Sequence, residues 1–343
     1  MPKTLTSAND QLDRQQARQA FTQQYLGPTI SMTALPADAS FRRYFRVARD
    51  GRTWLLMDAP PSHENLAAYL RVAAYLHQHG LAAPRIEASD LDQGFALIED
   101  FGDRTYTTLL QAGGDEGALY ALAIDALATL HSKPLPDRQA GFTAYTVEHL
   151  LDEAALFADW YWAHVMGESP SVEQRDRFID LVSAQLGQVG ARRDCVVLRD
   201  YHVDNLMLRP DQAAGSLASC GLLDFQDALI GSPAYDLMSL LEDARRDLSP
   251  GLIEAMIDRY CAARPEVDRD QLMTDYTVLG MTRHAKILGI FVRLSQRDGK
   301  PKYLVHLPRV ARLLAGSLAT PKLQPIADFL DDACPAWRQP PAV

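Results

Sequence analysis

Val196-Val197-Leu198-Arg199-Asp200-Tyr201-His202-Val203-Asp204-Asn205-Leu206-Met207-Leu208 sets an aspartate five residues before an asparagine, in a short polar loop between two apolar runs. A further apolar run, Gly221-Leu222-Leu223, ends in Asp224-Phe225. Short apolar runs bounded by polar residues read as buried strands. Asp200, Asn205 and Asp224 are then oxygen-bearing side chains delivered at strand ends. Phosphoryl transfer needs such a set: one carboxylate to receive a hydroxyl proton, and an amide oxygen and a second carboxylate to hold Mg²⁺ on a nucleoside triphosphate.

The Asp-x₄-Asn pair alone is a weak signal, because polar turns use the same residues to satisfy their own backbone. Its surroundings add weight. Gly231-Ser232-Pro233-Ala234-Tyr235-Asp236-Leu237 follows the third apolar run and opens a helix, with proline near its first turn.

Upstream, residues 12–26 read as a helix stopped by Gly27-Pro28. Strands are expected at 29–35, 40–48 and 52–58, with Asp50-Gly51 as a hairpin turn between the last two. A helix at 64–79 stops at Gly80, and strands at 84–88 and 94–98 lead into a turn at Glu99-Asp100-Phe101-Gly102-Asp103. Beyond residue 100 the pattern is mainly helical, at 115–132, 146–166, 171–189, 234–246, 250–263, 268–295, 303–317 and 324–332. The Pro-rich tail from 335 to 343 reads as loosely ordered.

Bulk properties narrow the function classes. The chain has 343 residues, 47% of them apolar and 23% charged, enough for two packed lobes. A net charge of −10 argues against broad binding to nucleic acid or anionic membranes, while leaving room for a local basic pocket. The four cysteines form no CxxC pair, so neither a disulfide framework nor a zinc site is expected. Residues 1–13 are polar and no apolar run approaches 18 residues, so neither a signal peptide nor a membrane span is expected, and the expected compartment is the cytoplasm.

The order of these elements resembles the kinase-like phosphotransferases of the aminoglycoside and choline kinase type. Their pattern is His-Gly-Asp-x₄-Asn, a strand ending Ile-Asp-Phe, then Gly-x-Pro-x-x-Asp-Leu. Here it reads Leu198-Arg199-Asp200-x₄-Asn205, Leu223-Asp224-Phe225 and Gly231-Ser232-Pro233-Ala234-Tyr235-Asp236-Leu237. The resemblance implies an α+β, two-lobed protein-kinase-like fold. Residues 1–100 would be a small N-terminal lobe, an antiparallel sheet with a helix, that binds nucleotide. Residues 101–343 would be a larger, mostly helical lobe for catalysis and acceptor binding. It implies ATP and Mg²⁺ as cofactors, Asp200 as catalytic base, Asn205 and Asp224 as metal ligands, and Asp236 as the acid that fixes the catalytic loop.

The N-terminal part departs from that pattern. There is no GxGxxG; the loop that would cover the phosphates reads Pro36-Ala37-Asp38-Ala39-Ser40-Phe41-Arg42-Arg43, with Ser40, Phe41 and Arg43 as candidate nucleotide contacts. Met57 stands near the position of the usual phosphate-binding lysine, and Trp54–Pro60 holds no lysine, so Glu64 lacks an obvious cationic partner. Either Arg42, Arg43 or Arg46 serves the phosphates, or metal and backbone hold the nucleotide. The arginines also read as a solvated strand face. Glu99 and Phe101 fit the hinge whose backbone bonds adenine.

A closer resemblance is to the bacterial anomeric kinases of N-acetylmuramate and N-acetylglucosamine. It is carried by Asp38–Val47, Leu56-Met57-Asp58-Ala59-Pro60-Pro61, Leu198–Asn205, Lys286-Ile287-Leu288-Gly289-Ile290-Phe291 and Arg297-Asp298-Gly299-Lys300-Pro301-x-Tyr303-Leu304. The resemblance implies phosphorylation of the sugar at C1 in peptidoglycan recycling, with a small amino sugar as the partner and no nucleic acid, membrane or obligate protein partner. Arg199, His202 and Asp204 are candidate acceptor-binding residues. Arg283, His284, Lys286 and Arg293 would add cationic groups to that pocket, or Arg283, Lys286 and Arg293 form a solvated helix face. The alternatives are an aminoglycoside phosphotransferase or other small-molecule kinase of the same fold, and a catalytically silent nucleotide-binding module.

Overall fold

The computed structural model describes residues 8–36 and 40–341. After helix α1 (Ala8–Leu26) come β1 (Ser31–Ala34), β2 (Arg43–Arg49), β3 (Arg52–Asp58), helix α2 (Leu66–Gln78), β4 (Ile86–Asp90) and β5 (Phe95–Glu99). The strands form one antiparallel sheet in the order β1-β2-β3-β5-β4. The Asp50-Gly51 turn closes the β2–β3 hairpin over the pair Arg49↔Arg52, with φ of 50° and 75°, the left-handed pair whose twist matches the strands it joins.

Strand alternation buries both faces of this sheet. Val47, Leu56, Phe95 and Leu97 pack under Phe21 and Leu26 of α1. Met57, Ala96 and Ile98 join the main core with Leu66, Tyr69, Val72 and Leu76 of α2. Asp58 is almost wholly buried and is neutralised by Arg14 (2.6 Å) and Arg18 (2.8 Å), which clamps α1 to the end of β3. A buried charge is tolerated only when paired in this way.

The rest is mainly helical: α3 (Tyr106–Gln111), α4 (Glu116–His131), α5 (Val147–Leu156), a π-helical turn (Phe157–Tyr161), α6 (Trp162–Met166) and α7 (Val172–Leu186). Four short strands follow, β6 (Cys195–Val197), β7 (Leu206–Leu208), β8 (Cys220–Leu222) and β9 (Leu229–Gly231), then α8 (Ala234–Leu241), α9 (Pro250–Ala263), α10 (Arg269–Gln296), α11 (Leu307–Leu318) and α12 (Gln324–Ala333). β6 pairs with β9 and β7 with β8. Helix α10 is buried through most of its middle. It crosses α5 so closely that a Cβ on Gly289 would sit 2.1 Å from the Leu156 carbonyl oxygen. Among the described residues, no helix is long and apolar enough to cross a membrane.

Several boundaries differ from the sequence expectation, each for a local reason. The 234–246 helix stops at Leu241, and Asp243 then accepts the Arg245 N–H at 2.9 Å, a side-chain turn that competes with the helix. The 303–317 helix begins at Leu307, and residues 301–306 form a 3₁₀ segment before Pro308 presets the first turn. Helix α3, capped by Thr105, falls in a stretch for which no helix is expected. The described start of the tail is not loosely ordered: Pro335–Arg338 form a 3₁₀ turn. Trp337 is fully buried, its indole N–H donates to Asp331 (2.8 Å), and its carbonyl accepts from the Tyr161 hydroxyl (2.7 Å).

Candidate active site

Strand β6 is fully buried and delivers Leu198–Asp200 to the cleft edge. The loop is fixed from behind by Asp236 in the first turn of α8, itself inaccessible to solvent. Asp236 accepts the Leu198 N–H (2.6 Å) and the Arg199 N–H (2.8 Å). Arg199 has φ of +71°, a left-handed backbone that glycine adopts most easily. It stands where the resembling pattern has that glycine. The side chain is put to use: Arg199 pairs with Glu153 of α5, which also accepts from Lys286 of α10 (2.8 Å) and from the Tyr145 hydroxyl.

Asp200 lies next, with its side chain 38% exposed and Arg283 of α10 at 3.5 Å. Arg283 also donates to the Arg199 carbonyl (2.9 Å) and the Tyr235 hydroxyl (3.2 Å). Burial pushes the Asp200 carboxyl up, but Arg283, Lys286, His202 and Arg199 outweigh it and hold the group well below the usual carboxylate range. Such a carboxylate is ionised at neutral pH. It can orient a hydroxyl and take its proton as negative charge leaves the attacking oxygen.

Asn205 ends the 3₁₀ turn Val203–Asn205, and its amide donates to the Asp200 carbonyl (2.9 Å). The Leu223 N–H donates to the Asn205 carbonyl (2.9 Å), extending the β7–β8 ladder past Leu206↔Leu222 and bringing Asp224 beside Asn205. Asp224 has φ of +56° and a side chain 41% exposed. Behind it, Phe225 is buried and stacks on Tyr69 of α2 (4.8 Å). An amide oxygen and one carboxylate fit Mg²⁺, which takes few protein oxygens and completes its shell with water and phosphate. Among the described residues, no three His, Cys, Asp or Glu side chains gather as a metal site of their own.

The opposite wall is the turn into β2. Residues 37–39 of the expected phosphate loop lie outside the described residues. Arg42 reaches across the cleft to Asp224 (2.7 Å) and Gln226 (2.6 Å), and back to Glu64 (3.3 Å). Glu64 also accepts the Phe41 N–H (3.0 Å), and the Ser40 hydroxyl accepts the Arg42 N–H (3.2 Å). The cationic partner of Glu64 is therefore Arg42. Met57 is core, and Arg43 stands exposed at the start of β2 opposite Asp58. Arg46 turns away to brace Asp100 (2.7 Å) and Asp103 (2.9 Å). At the hinge, Glu99 pairs with Arg209 (2.7 Å) and Arg85 (3.3 Å), and the buried Phe101 ring packs on Gly221 beneath the Arg209 guanidinium (4.5 Å).

The other expected acceptor residues, His202 and Asp204, lie in the same loop. His202 is buried, its Nε2 3.4 Å from the Asn205 amide, and burial pushes its pKa down. Asp204 accepts from Thr107 of α3 and pairs with Arg245 (3.1 Å). Arg283, His284 and Lys286 are buried rather than a solvated face. Glu153, Gln226 and Tyr69 complete the surroundings without having been expected. Glu153 is one acid among several on α5, and its charge pairing has no local signal, since its cationic partners lie 46 and 133 residues away.

Comparison with known proteins adds to this geometry. Residues 31–270 match the family described as phosphotransferase enzyme family (APH). The chain is 34% identical to a Caulobacter vibrioides protein named N-acetylmuramate/N-acetylglucosamine kinase, over 94% of this chain and 97% of that one. It is 35% identical to a protein of the same name from Pseudomonas aeruginosa, over 88% of each. Among solved structures, Plasmodium vivax ethanolamine kinase superposes with a TM-score of 0.63 at 10% identity, over 94% of this chain and 93% of that one.

Proposed function

The chain belongs to the phosphotransferase enzyme family, and from that premise we propose that it is an ATP-dependent kinase of N-acetylmuramate and N-acetylglucosamine. Phosphate is transferred to the anomeric C1 hydroxyl, in the cytoplasmic salvage of cell-wall fragments. The observation that carries this reading is the setting of Asp200, a carboxylate held ionised among Arg199, Arg283 and Lys286 and one short turn from Asn205.

Residues 1–100 bind the nucleotide and 101–343 bind the sugar. Asp200 accepts a hydrogen bond from the acceptor hydroxyl, aims it, and receives its proton. Asp236 holds the loop that presents it. Asn205 and Asp224 would hold Mg²⁺, which neutralises phosphate charge when bound. The hinge residues Glu99 and Phe101 present backbone to the base, and Ser40 and Phe41 border the phosphates; the sugar lies on the side of Arg199, His202 and Asp204.

Charge favours this acceptor over an aminoglycoside. Among the described residues, the ion pairs of Arg199, Lys286 and Arg283 are with Glu153 and Asp200, an excess of positive charge. A polycationic antibiotic would be repelled there, whereas the carboxylate of N-acetylmuramate is attracted. Phosphorus NMR of the product tests the proposal. Incubation with ATP, Mg²⁺ and either sugar should give a phosphate coupled to the single anomeric proton. Phosphate at C6, or turnover of kanamycin but of neither sugar, would overturn it.

A further inference from the structure

The strand that usually carries a phosphate-binding lysine has none here; its Met57 side chain is sealed in the core, pairing in register with Tyr44 and Ala96. A phosphate site without a cation is unfavourable, because several negative oxygens must be held in a confined cleft. One guanidinium is placed for that task. Arg42 is anchored on the sheet side by Glu64, and its two terminal nitrogens bond Asp224 and Gln226 on the other side at 2.7 and 2.6 Å. It therefore reaches the same carboxylate to which a nucleotide-bound Mg²⁺ would be held. Arg43 and Arg46, which follow it in β2, are excluded by position: one is exposed, and the other is committed to Asp100 and Asp103.

We propose that Arg42 supplies the phosphate-binding charge that β3 lacks, contacting the outer phosphates of the nucleotide while Glu64 holds it in place. This rests on the kinase reading above, and deepens it. A planar fork suits the role, since it can bond a carboxylate and a phosphate oxygen at once where an ammonium is a point charge. Glu64 closes the arrangement from behind. With Oε1 on the Phe41 N–H and Oε2 on the Arg42 guanidinium, it fixes both the backbone and the side chain of the turn.

The alternative for Arg42 is a strut that merely joins the two walls. Calorimetric titration separates them without any turnover. With Mg²⁺ present, Arg42→Ala should weaken ATP by about 10- to 100-fold and leave adenosine within about twofold, because only the phosphates lose a partner. Arg42→Lys should fall between, and Glu64→Gln should weaken ATP by a few-fold with the same indifference of adenosine. Equal losses for ATP and adenosine, or none for either, would overturn the proposal. If Arg42→Ala does not fold, the ATP-to-adenosine ratio of Arg42→Lys decides: an unchanged ratio refutes the role. Failure of the wild-type protein to bind ATP at all would instead refute the kinase reading.

Discussion

Replacing Asp236 by asparagine tests what holds the catalytic loop. The side chain keeps its shape, but one of its oxygens becomes a donor, while Leu198 and Arg199 both present N–H groups to it at 2.6 and 2.8 Å. One charge-assisted hydrogen bond is lost outright, worth ~1.5–3 kcal/mol, and the survivor weakens to a neutral bond. His131, 3.5 Å away, loses its acidic neighbour too. About 3–4 kcal/mol of unfolding free energy should disappear, in the range for breaking a buried charged network. The functional loss follows from Arg199. Its left-handed backbone, disfavoured by about 1–3 kcal/mol, persists only while those bonds enforce it. Freed of them the loop relaxes and Asp200 moves, and a displacement of about 1 Å is enough to lower kcat roughly 100-fold. Urea unfolding measures the first quantity and coupled ADP release the second. The double variant with Arg199→Gly sharpens the test. Glycine needs no enforcement, so Asp236→Asn should lower kcat much less in the Gly background, a coupling of ~1 kcal/mol or more. A single variant within about 0.5 kcal/mol of wild type, or strictly additive losses in the double, would refute the reasoning.

Arg283→Met removes a charge that keeps the Asp200 carboxyl low; the base then protonates at higher pH, and the acid limb of kcat/KM should move up by about one unit, an unmoved limb counting against the pairing. Glu242 at the end of α8 gives a pH dependence of opposite sign: burial pushes its carboxyl up to about 7. Its folded pKa lies above the unfolded value, so its contribution is fully present in acid and is lost as pH rises through about 7. Glu242→Gln should raise stability at pH 8 relative to pH 5 by roughly 2–3 kcal/mol in urea unfolding, and an identical effect at both pH values would contradict this. Gly289→Ala puts a methyl group 2.1 Å from the Leu156 carbonyl oxygen, so α10 must separate from α5; a loss of about 3 kcal/mol or failure to fold is expected, and an unchanged urea midpoint would refute the contact.

The parts of this site that were legible in the sequence are those built by one short piece of chain. Asp200, Asn205 and Asp224 could be read because strand–turn–strand geometry is local: five residues separate the first pair, and the β7–β8 ladder places the third. Pro233 and the helix it starts mark Asp236 only as a helix-start carboxylate; its part in fixing the loop is implied by the resemblance alone. Contacts across the cleft carried no such signal. Arg42 and Asp224 are 182 residues apart, and Arg42 and Arg43 are equal candidates until the turn into β2 brings one to Asp224 and leaves the other exposed. Glu153 is in the same position, with Lys286 133 residues away. The docking of residues 335–338 is not legible in the sequence, because a composition dominated by proline outweighs a single Trp337 that finds a buried socket.

Three non-glycine residues among those described have a left-handed backbone, Asp50, Arg199 and Asp224, and they are not alike. Asp50 turns a hairpin at the surface, where its exposed side chain adds only a pairing with its neighbour Arg49. Arg199 and Asp224 sit at the proposed reaction centre, where glycine would adopt the same backbone at less cost. What glycine could not supply is the side chain, and in both cases that side chain is charged and bound to an opposite charge across an element boundary: Arg199 to Glu153 on α5, Asp224 to Arg42 before β2. Strain and ion pairing thus support each other. The backbone twist aims each group, and the ion pair resists relaxation of the twist. The exchange of glycine for Arg199 also adds a fixed positive charge one residue from the base. On the proposed assignment of the acceptor side, the feature that strains the loop is therefore one that disfavours cationic antibiotics and favours neutral or acidic sugars.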